Sequence, residues 1–112
     1  MTLKEYLMQT PEGEEITVWD DVYDIEVYFY NQIDDTWDKA MMDLANKLNV
    51  VEVQNDGVVV GLYELIERNI DNPEFKRLFI DIDTDAIMDD IETILAGNVS
   101  EGWFVKFVNC LR

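Results

Sequence analysis

The sequence predicts an α+β fold in which a small, mostly antiparallel sheet of about four strands is covered by four or five short helices. Apolar residues alternate with polar ones between residues 15 and 30, which is the spacing of half-buried strands. They recur at helical spacing in 36–48, 62–70 and 87–95. With 112 residues, 48% of them hydrophobic, the chain fits a single domain over residues 1–112 with one core.

The N-terminal segment predicts a short helix followed by a turn. Thr2 is expected to cap this helix, because Glu5 stands three residues later and completes a capping box. Pro11 and Gly13 then interrupt the pattern and predict a turn.

Two strands joined by a tight acidic turn are predicted next. Ile16 and Val18 in the first strand, and Val27 and Phe29 in the second, alternate with polar or aromatic residues. Successive side chains of a strand point to opposite faces, so these aliphatic and aromatic residues are expected to face the core. The tyrosines and carboxylates of the same strands then share the other face.

A helix and a second hairpin follow. Asp34 or Asp35 is expected to cap the helix in 36–48. Residues 50–61 predict a hairpin, in which Asn55-Asp56-Gly57 would supply a positive φ at the turn.

The second half of the chain predicts short helices. After the apolar stripe in 62–70, Pro73 is expected to begin a short helix. The apolar residues of that helix are Phe75, Leu78 and Phe79. Gly97 predicts a helix end, and Ser100 is expected to cap a terminal helix, although the sequence WFVKFV is also compatible with a strand.

Residues 81–92, DIDTDAIMDDIE, allow either a helix or a calcium-binding loop. Acidic residues occupy the EF-hand ligand positions 1, 3, 5, 9 and 12, namely Asp81, Asp83, Asp85, Asp89 and Glu92. Position 6 is Ala86, where the loop needs a left-handed conformation that costs a residue with a Cβ roughly 1–2 kcal/mol. Ile87 and Ile91 continue a helical stripe through the same residues. We therefore predict a helix capped by Asp83 or Thr84 and keep Ca²⁺ binding as an alternative.

The predicted helix carries acidic residues that no lysine or arginine accompanies. Asp85, Asp89 and Glu92 fall within about 60° of each other around the axis. We expect its carboxylates to imitate a row of phosphates for a basic partner; the candidates are Asp85, Asp89, Asp90 and Glu92. The alternative is a solvated face whose only role is solubility.

The outer face of the first two strands is the second candidate surface. Its expected partner-binding residues are Trp19, Asp24, Glu26, Tyr28 and Tyr30. Tyrosine and tryptophan are common at interface cores, and an arginine can pair with a carboxylate while it stacks on an aromatic ring. The alternative is that a helix also covers this face, in which case the tyrosines belong to the core.

The charge of the chain indicates the class of partner. The net charge is −17, and the segments 12–38 and 81–92 contain ten and six acidic residues without one basic residue. Such segments repel nucleic acids and anionic membranes and attract basic protein surfaces. We expect no direct contact with nucleic acid or membrane.

Catalytic chemistry finds little support in the sequence. The chain has no histidine, which removes His-based triads and the common zinc sites. The one cysteine, Cys110, stands among apolar residues and is expected to be a small core residue. No glycine pattern for nucleotides is present, so we expect a non-enzymatic protein without a cofactor. The N-terminus does not resemble a signal peptide, and the expected location is cytoplasmic.

The first half of the chain resembles a group of small acidic proteins. PEGEEITVWDDVYDIEVYFYN, followed by WDKAMMDLANKL, is similar to uncharacterised proteins of gut Firmicutes and their mobile elements. The resemblance implies a bacterial setting, in which small acidic proteins block restriction enzymes, CRISPR effectors or nuclease toxins.

The leading hypothesis is a non-enzymatic acidic protein-interaction module that imitates nucleic acid and inhibits a basic nucleic-acid-binding protein. A Ca²⁺-binding regulatory protein that uses 81–92 is one alternative. A domain whose acidity serves only solubility is the other.

Overall fold

A computed structural model describes residues 1–112 and confirms the α+β prediction, with six helices where four or five were expected. The elements in chain order are α1 (Leu3–Leu7), β1 (Glu15–Asp20), β2 (Glu26–Tyr30), α2 (Thr36–Lys47), β3 (Val50–Gln54), β4 (Gly57–Val60), α3 (Leu62–Asn69), α4 (Pro73–Lys76), α5 (Thr84–Leu95) and α6 (Glu101–Cys110).

The four strands form one sheet in the order β2-β1-β4-β3. Two antiparallel hairpins, β1–β2 and β3–β4, meet where β1 pairs with β4 in parallel. The sheet is therefore mostly antiparallel, as predicted, with one parallel pair at its centre. This order leaves β2 and β3 as the two edge strands.

Gly57 has a different role from the one its sequence position predicted. The only residues with positive φ are Gly13 and Gly97, so the expectation of a positive φ in the 55–57 turn is wrong. Gly57 instead begins β4 opposite Thr17 of β1, and a Cβ at this position would lie 1.9 Å from the Thr17 carbonyl oxygen. Glycine is needed because two backbones approach closely.

One core cluster of 28 buried hydrophobic side chains lies between the sheet and the helices. The predicted inward residues of the first hairpin belong to it: Ile16, Val18, Val27 and Phe29. Ile87, Ile91 and Ile94 of α5 also face this core, which agrees with the helical stripe read from the sequence. No helix has the combined length and apolarity needed to cross a bilayer.

Side-chain caps explain where most of the helices begin. Thr2 and Glu5 form the predicted capping box of α1. Asp35 caps α2, and Asp83 caps α5. Ser100 caps α6, which settles residues 101–110 as a helix and not a strand.

Helix α4 is shorter than the sequence predicted. Asn72 caps α4, whose first residue is Pro73 as expected. The helix ends at Lys76, however, so Leu78 and Phe79 lie beyond it and not on it. Both side chains still pack against the core. The ring centroids of Phe79 and the buried Phe75 are 4.8 Å apart.

Candidate functional site

The outer face of β1 and β2 is open to solvent. Tyr28 and Tyr30 remain 48% and 45% exposed, and Glu15 and Glu26 beside them are exposed as well. The helices pack against the opposite face, where the core lies. The alternative in which a helix covers the tyrosines is therefore wrong.

Hydrogen bonds between aromatic side chains and carboxylates organise this open face. Glu26 accepts from Trp19 Nε1 at 3.2 Å and from the Tyr28 hydroxyl at 2.8 Å. The Tyr30 hydroxyl donates to Glu15 at 3.2 Å. The register explains two of these contacts, because Trp19 pairs with Glu26, and Glu15 pairs with Tyr30. We call these five residues the acid–aromatic face.

The same hydrogen bonds change the titration of the tyrosines. The bond to Glu26 raises the pKa of Tyr28, and the bond to Glu15 raises the pKa of Tyr30. A tyrosine that donates to a carboxylate is harder to ionise, because ionisation would bring two negative groups together. The Glu15 and Glu26 carboxylates are thus held in place by neutral donors.

The segment 81–92 does not form a calcium loop. Asp83 accepts hydrogen bonds from the main-chain N–H groups of Asp85 (2.9 Å) and Ala86 (3.4 Å), and Asp81 accepts from the N–H of Asp83 (3.0 Å). Residues from Thr84 onward are helical. An EF-hand instead wraps the first and last ligands around one ion, and no group of three acidic, histidine or cysteine side chains is placed to hold a metal.

A tyrosine joins the β1–β2 turn to the N-terminal half of α5. The hydroxyl of Tyr23 donates a hydrogen bond to Asp85, and this bond is the main reason that the pKa of Tyr23 rises to about 12. The Tyr23 ring also stacks on Tyr63 of α3, with 5.5 Å between centroids. Asp85, near the start of α5, is therefore held against the β1–β2 turn.

The four α5 carboxylates do not form one row. Asp85, Asp89 and Glu92 lie on one side of the helix, which we call the acidic side of α5, but Asp90 is turned from Asp85 by about 140° around the axis. Asp90 instead lines a separate cavity of about 360 Å³ with Phe79 and Trp103. The expectation that Asp90 belongs to the row is wrong, and helical geometry alone could have excluded it.

The two predicted surfaces meet in one groove beside β2. This β2–α5 groove has a volume of about 450 Å³ and contains predicted residues from both, namely Glu26, Tyr28, Tyr30 and Glu92. Residues that the sequence did not single out complete it; they include Trp37, Asp38, Met41 and Leu95. Their contribution depends on how α2 and α5 pack beside the strand, which no local pattern reveals.

Five of the nine predicted partner-binding residues lie outside this groove, namely Trp19, Asp24, Asp85, Asp89 and Asp90. Trp19 stands on the acid–aromatic face and Asp24 is exposed in the β1–β2 turn, but neither lines the groove. Asp21 also lies in that turn and outside the groove. Burial raises the pKa of its carboxyl group, and the neighbouring Asp20 carboxylate raises it further. Cys110 is buried, as expected, and burial raises the pKa of its thiol.

Four of the eight basic residues lie at a different part of the molecule. Lys47 and Arg68 donate to main-chain carbonyls at the C-terminal end of the chain, not to carboxylates. Arg77 and Lys106 line a shallow pocket beside α4 and α6. No lysine or arginine lines the β2–α5 groove.

No family model, curated protein or solved structure matches this chain.

Proposed function

We propose that the protein is a non-enzymatic acidic interaction module that binds a basic, nucleic-acid-binding surface of another protein. The observation that supports this best is the groove in which Glu26, Tyr28 and Tyr30 of the acid–aromatic face meet Glu92 of α5, and which no basic residue lines. Oppositely charged surfaces accelerate association and select partners.

The spacing of the α5 carboxylates supports imitation of a phosphate backbone. A helix rises 1.5 Å per residue, so Asp85, Asp89 and Glu92 are separated by about 6 and 4.5 Å along the axis. Phosphates of one nucleic-acid strand advance about 3.4 Å of axis per nucleotide. A basic groove shaped for phosphates can therefore accept these carboxylates at comparable intervals.

The aromatic residues supply a second kind of contact. A guanidinium group that binds Glu26 can stack on Tyr28, whose ring is exposed beside that carboxylate. Arginine is frequent in surfaces that bind nucleic acids. By analogy with the resembled proteins, the proposed partners are restriction enzymes, CRISPR effectors or nuclease toxins of a bacterial host.

A capture experiment with charge-neutralised variants tests this function. The protein, immobilised through a tag, is exposed to host lysate beside the triple variant E26Q/D89N/E92Q. The triple variant changes two carboxylates of the groove and Asp89 on the acidic side of α5, whereas the matched control D43N/D56N/E74Q removes the same charge from exposed residues outside both surfaces. We expect a nucleic-acid-binding protein to bind the parent and the control and to bind the triple variant at least about tenfold more weakly.

Two additions to the experiment distinguish mimicry from other binding. Added duplex DNA or RNA should release the captured protein, and so should raised salt, since screening shortens the reach of the carboxylates. Equal capture by the triple variant, or capture unaffected by salt and nucleic acid, would contradict the proposal. Loss of capture by the control alone would place the interaction elsewhere.

A further inference from the structure

The β2–α5 groove combines an unpaired strand edge with acidic walls. From this combination we infer that its occupant is an extended, basic segment of the partner, which adds to β2 as a fifth strand of the sheet. This inference rests on the proposed function and specifies how the partner is held. Strand addition draws affinity from main-chain hydrogen bonds and specificity from pockets for alternate side chains.

The free edge of β2 follows from the hydrogen-bond pattern of the hairpin. The N–H of Asp20 donates to the carbonyl of Ile25, so these two residues form a hydrogen-bonded pair. Hydrogen-bonded pairs alternate along an antiparallel ladder, and Val27 and Phe29 are therefore the next residues of β2 that bond to β1. The residues between them therefore direct their N–H and C=O groups away from β1. These residues are Glu26, Tyr28 and Tyr30, and no loop or helix hydrogen-bonds to their main chain.

The groove offers a surface for side chains of a segment bound at this edge. Its volume of about 450 Å³ lies within the roughly 300–1,000 Å³ of ordinary ligand pockets. Trp37, Met41 and Leu95 give the groove an apolar wall. Alternate side chains of an added strand point to opposite sides, so apolar side chains can contact this wall while the others approach the carboxylates.

The charge of the groove selects a basic segment and opposes a second copy of the chain. Glu26, Asp38 and Glu92 line it without any lysine or arginine. Pairing of β2 with β2 of another molecule would bring two such sets of carboxylates together, between chains that each carry a net charge of −17. The other edge strand, β3, lacks this acidic groove although Val51 and Val53 are exposed on it.

Amide exchange in the presence of a defined peptide tests the inference. The probe is an eight-residue peptide of alternating arginine and valine, and the control peptide has the same side chains but is N-methylated at every residue. We expect the first peptide to slow amide exchange at Tyr28 and Tyr30 by at least about tenfold at saturation, because these N–H groups become hydrogen-bonded. The methylated peptide should give no such protection, and Val53 should exchange at its original rate with both.

Two variants on α5 provide a matched comparison. E92Q removes a carboxylate from the groove, whereas D90N removes one from the far side of the same helix. We expect E92Q to weaken peptide binding several-fold and D90N to leave it within about twofold of the parent.

Four results would overturn strand addition. Equal binding of the methylated peptide would show that charge alone holds the segment, which leaves the proposed function standing. Protection at β3, or concentration-dependent protection of Tyr28 without peptide, would identify a different edge or a second copy as the occupant. Absence of peptide binding also refutes the inference, whereas the proposed function is judged by the capture experiment.

Discussion

Replacement of Asp89 by asparagine is expected to stabilise the protein. Asp89 lies on α5 four residues after Asp85 and three residues before Glu92, and all three are exposed on one side of the helix. Neighbours at these spacings lie about 5–6 Å apart, and like charges there destabilise a helix. The D89N substitution removes both repulsive pairs at once.

The size of the effect follows from the two pairs. Each like-charge pair costs roughly 0.2–0.5 kcal/mol, so removal of both should raise the free energy of unfolding by about 0.4–1 kcal/mol. Asparagine and aspartate have similar helix propensities, so the substitution itself adds little. For a chain of this size the gain corresponds to an increase in Tm of roughly 2–5 °C.

Thermal and urea unfolding at two salt concentrations measure this gain, with D90N as the matched control. Asp90 lies on the same helix, but the residues three and four positions away are Ala86, Ile87, Thr93 and Ile94, none of them charged. D90N should therefore change stability little. At about 1 M salt, where the Debye length is about 3 Å, the advantage of D89N should shrink.

A destabilising or neutral D89N at low salt would refute the reasoning. It would mean that the Asp85, Asp89 and Glu92 carboxylates do not repel each other in the folded protein. A gain of equal size in D90N would show that the effect reflects total charge and not the arrangement of α5. If D89N is more stable but binds the partner more weakly, these carboxylates serve binding at a cost in stability.

Three further substitutions test other parts of the structure. In an ultraviolet pH titration, Y23F should remove the tyrosine that ionises at the highest pH. The folded pKa of Tyr23, about 12, exceeds the ordinary value of 10.0. The stability contributed by Tyr23 is therefore present below pH 10 and is lost as the pH rises towards 12. A titration unchanged in Y23F would contradict the Tyr23–Asp85 bond. G57A should destabilise the chain by about 1–3 kcal/mol or more in urea unfolding, because its Cβ would meet the Thr17 carbonyl at 1.9 Å, and a neutral result would contradict the β1–β4 pairing. G102A is the control, since nothing lies within 4 Å of its Cβ in α6, and it should stabilise the protein by about 0.5–1 kcal/mol.

The sequence predicted helices and strands correctly where the pattern involves residues that are close together in the chain. The alternation of Ile16 and Val18 identified β1 because a strand places successive side chains on opposite faces. Thr2 and Ser100 marked helix starts because a cap bonds to main-chain N–H groups only two or three residues away. The preference for a helix over an EF-hand in 81–92 followed in part from Ala86, whose conformation is helical.

Contacts between distant segments were not predictable in the same way. The need for glycine at residue 57 arises from a parallel pairing with Thr17, forty residues earlier in the sequence. The bond from Tyr23 to Asp85 crosses 62 residues. Trp37 and Met41 joined the groove only through the packing of α2 beside β2. Asp90 is a different case, because the 100° step of the helix already separated it from the row.

The most direct test of a continuous negative surface uses charged paramagnetic cosolutes in NMR. A cationic and an anionic nitroxide of similar size broaden nearby proton signals in proportion to their local concentration, which follows the local potential. We predict that signals of Tyr28, Asp89 and Glu92 are broadened far more by the cation than by the anion, and that this preference is much weaker around Arg77 and Lys106. A ratio that is uniform over the whole surface would contradict the account.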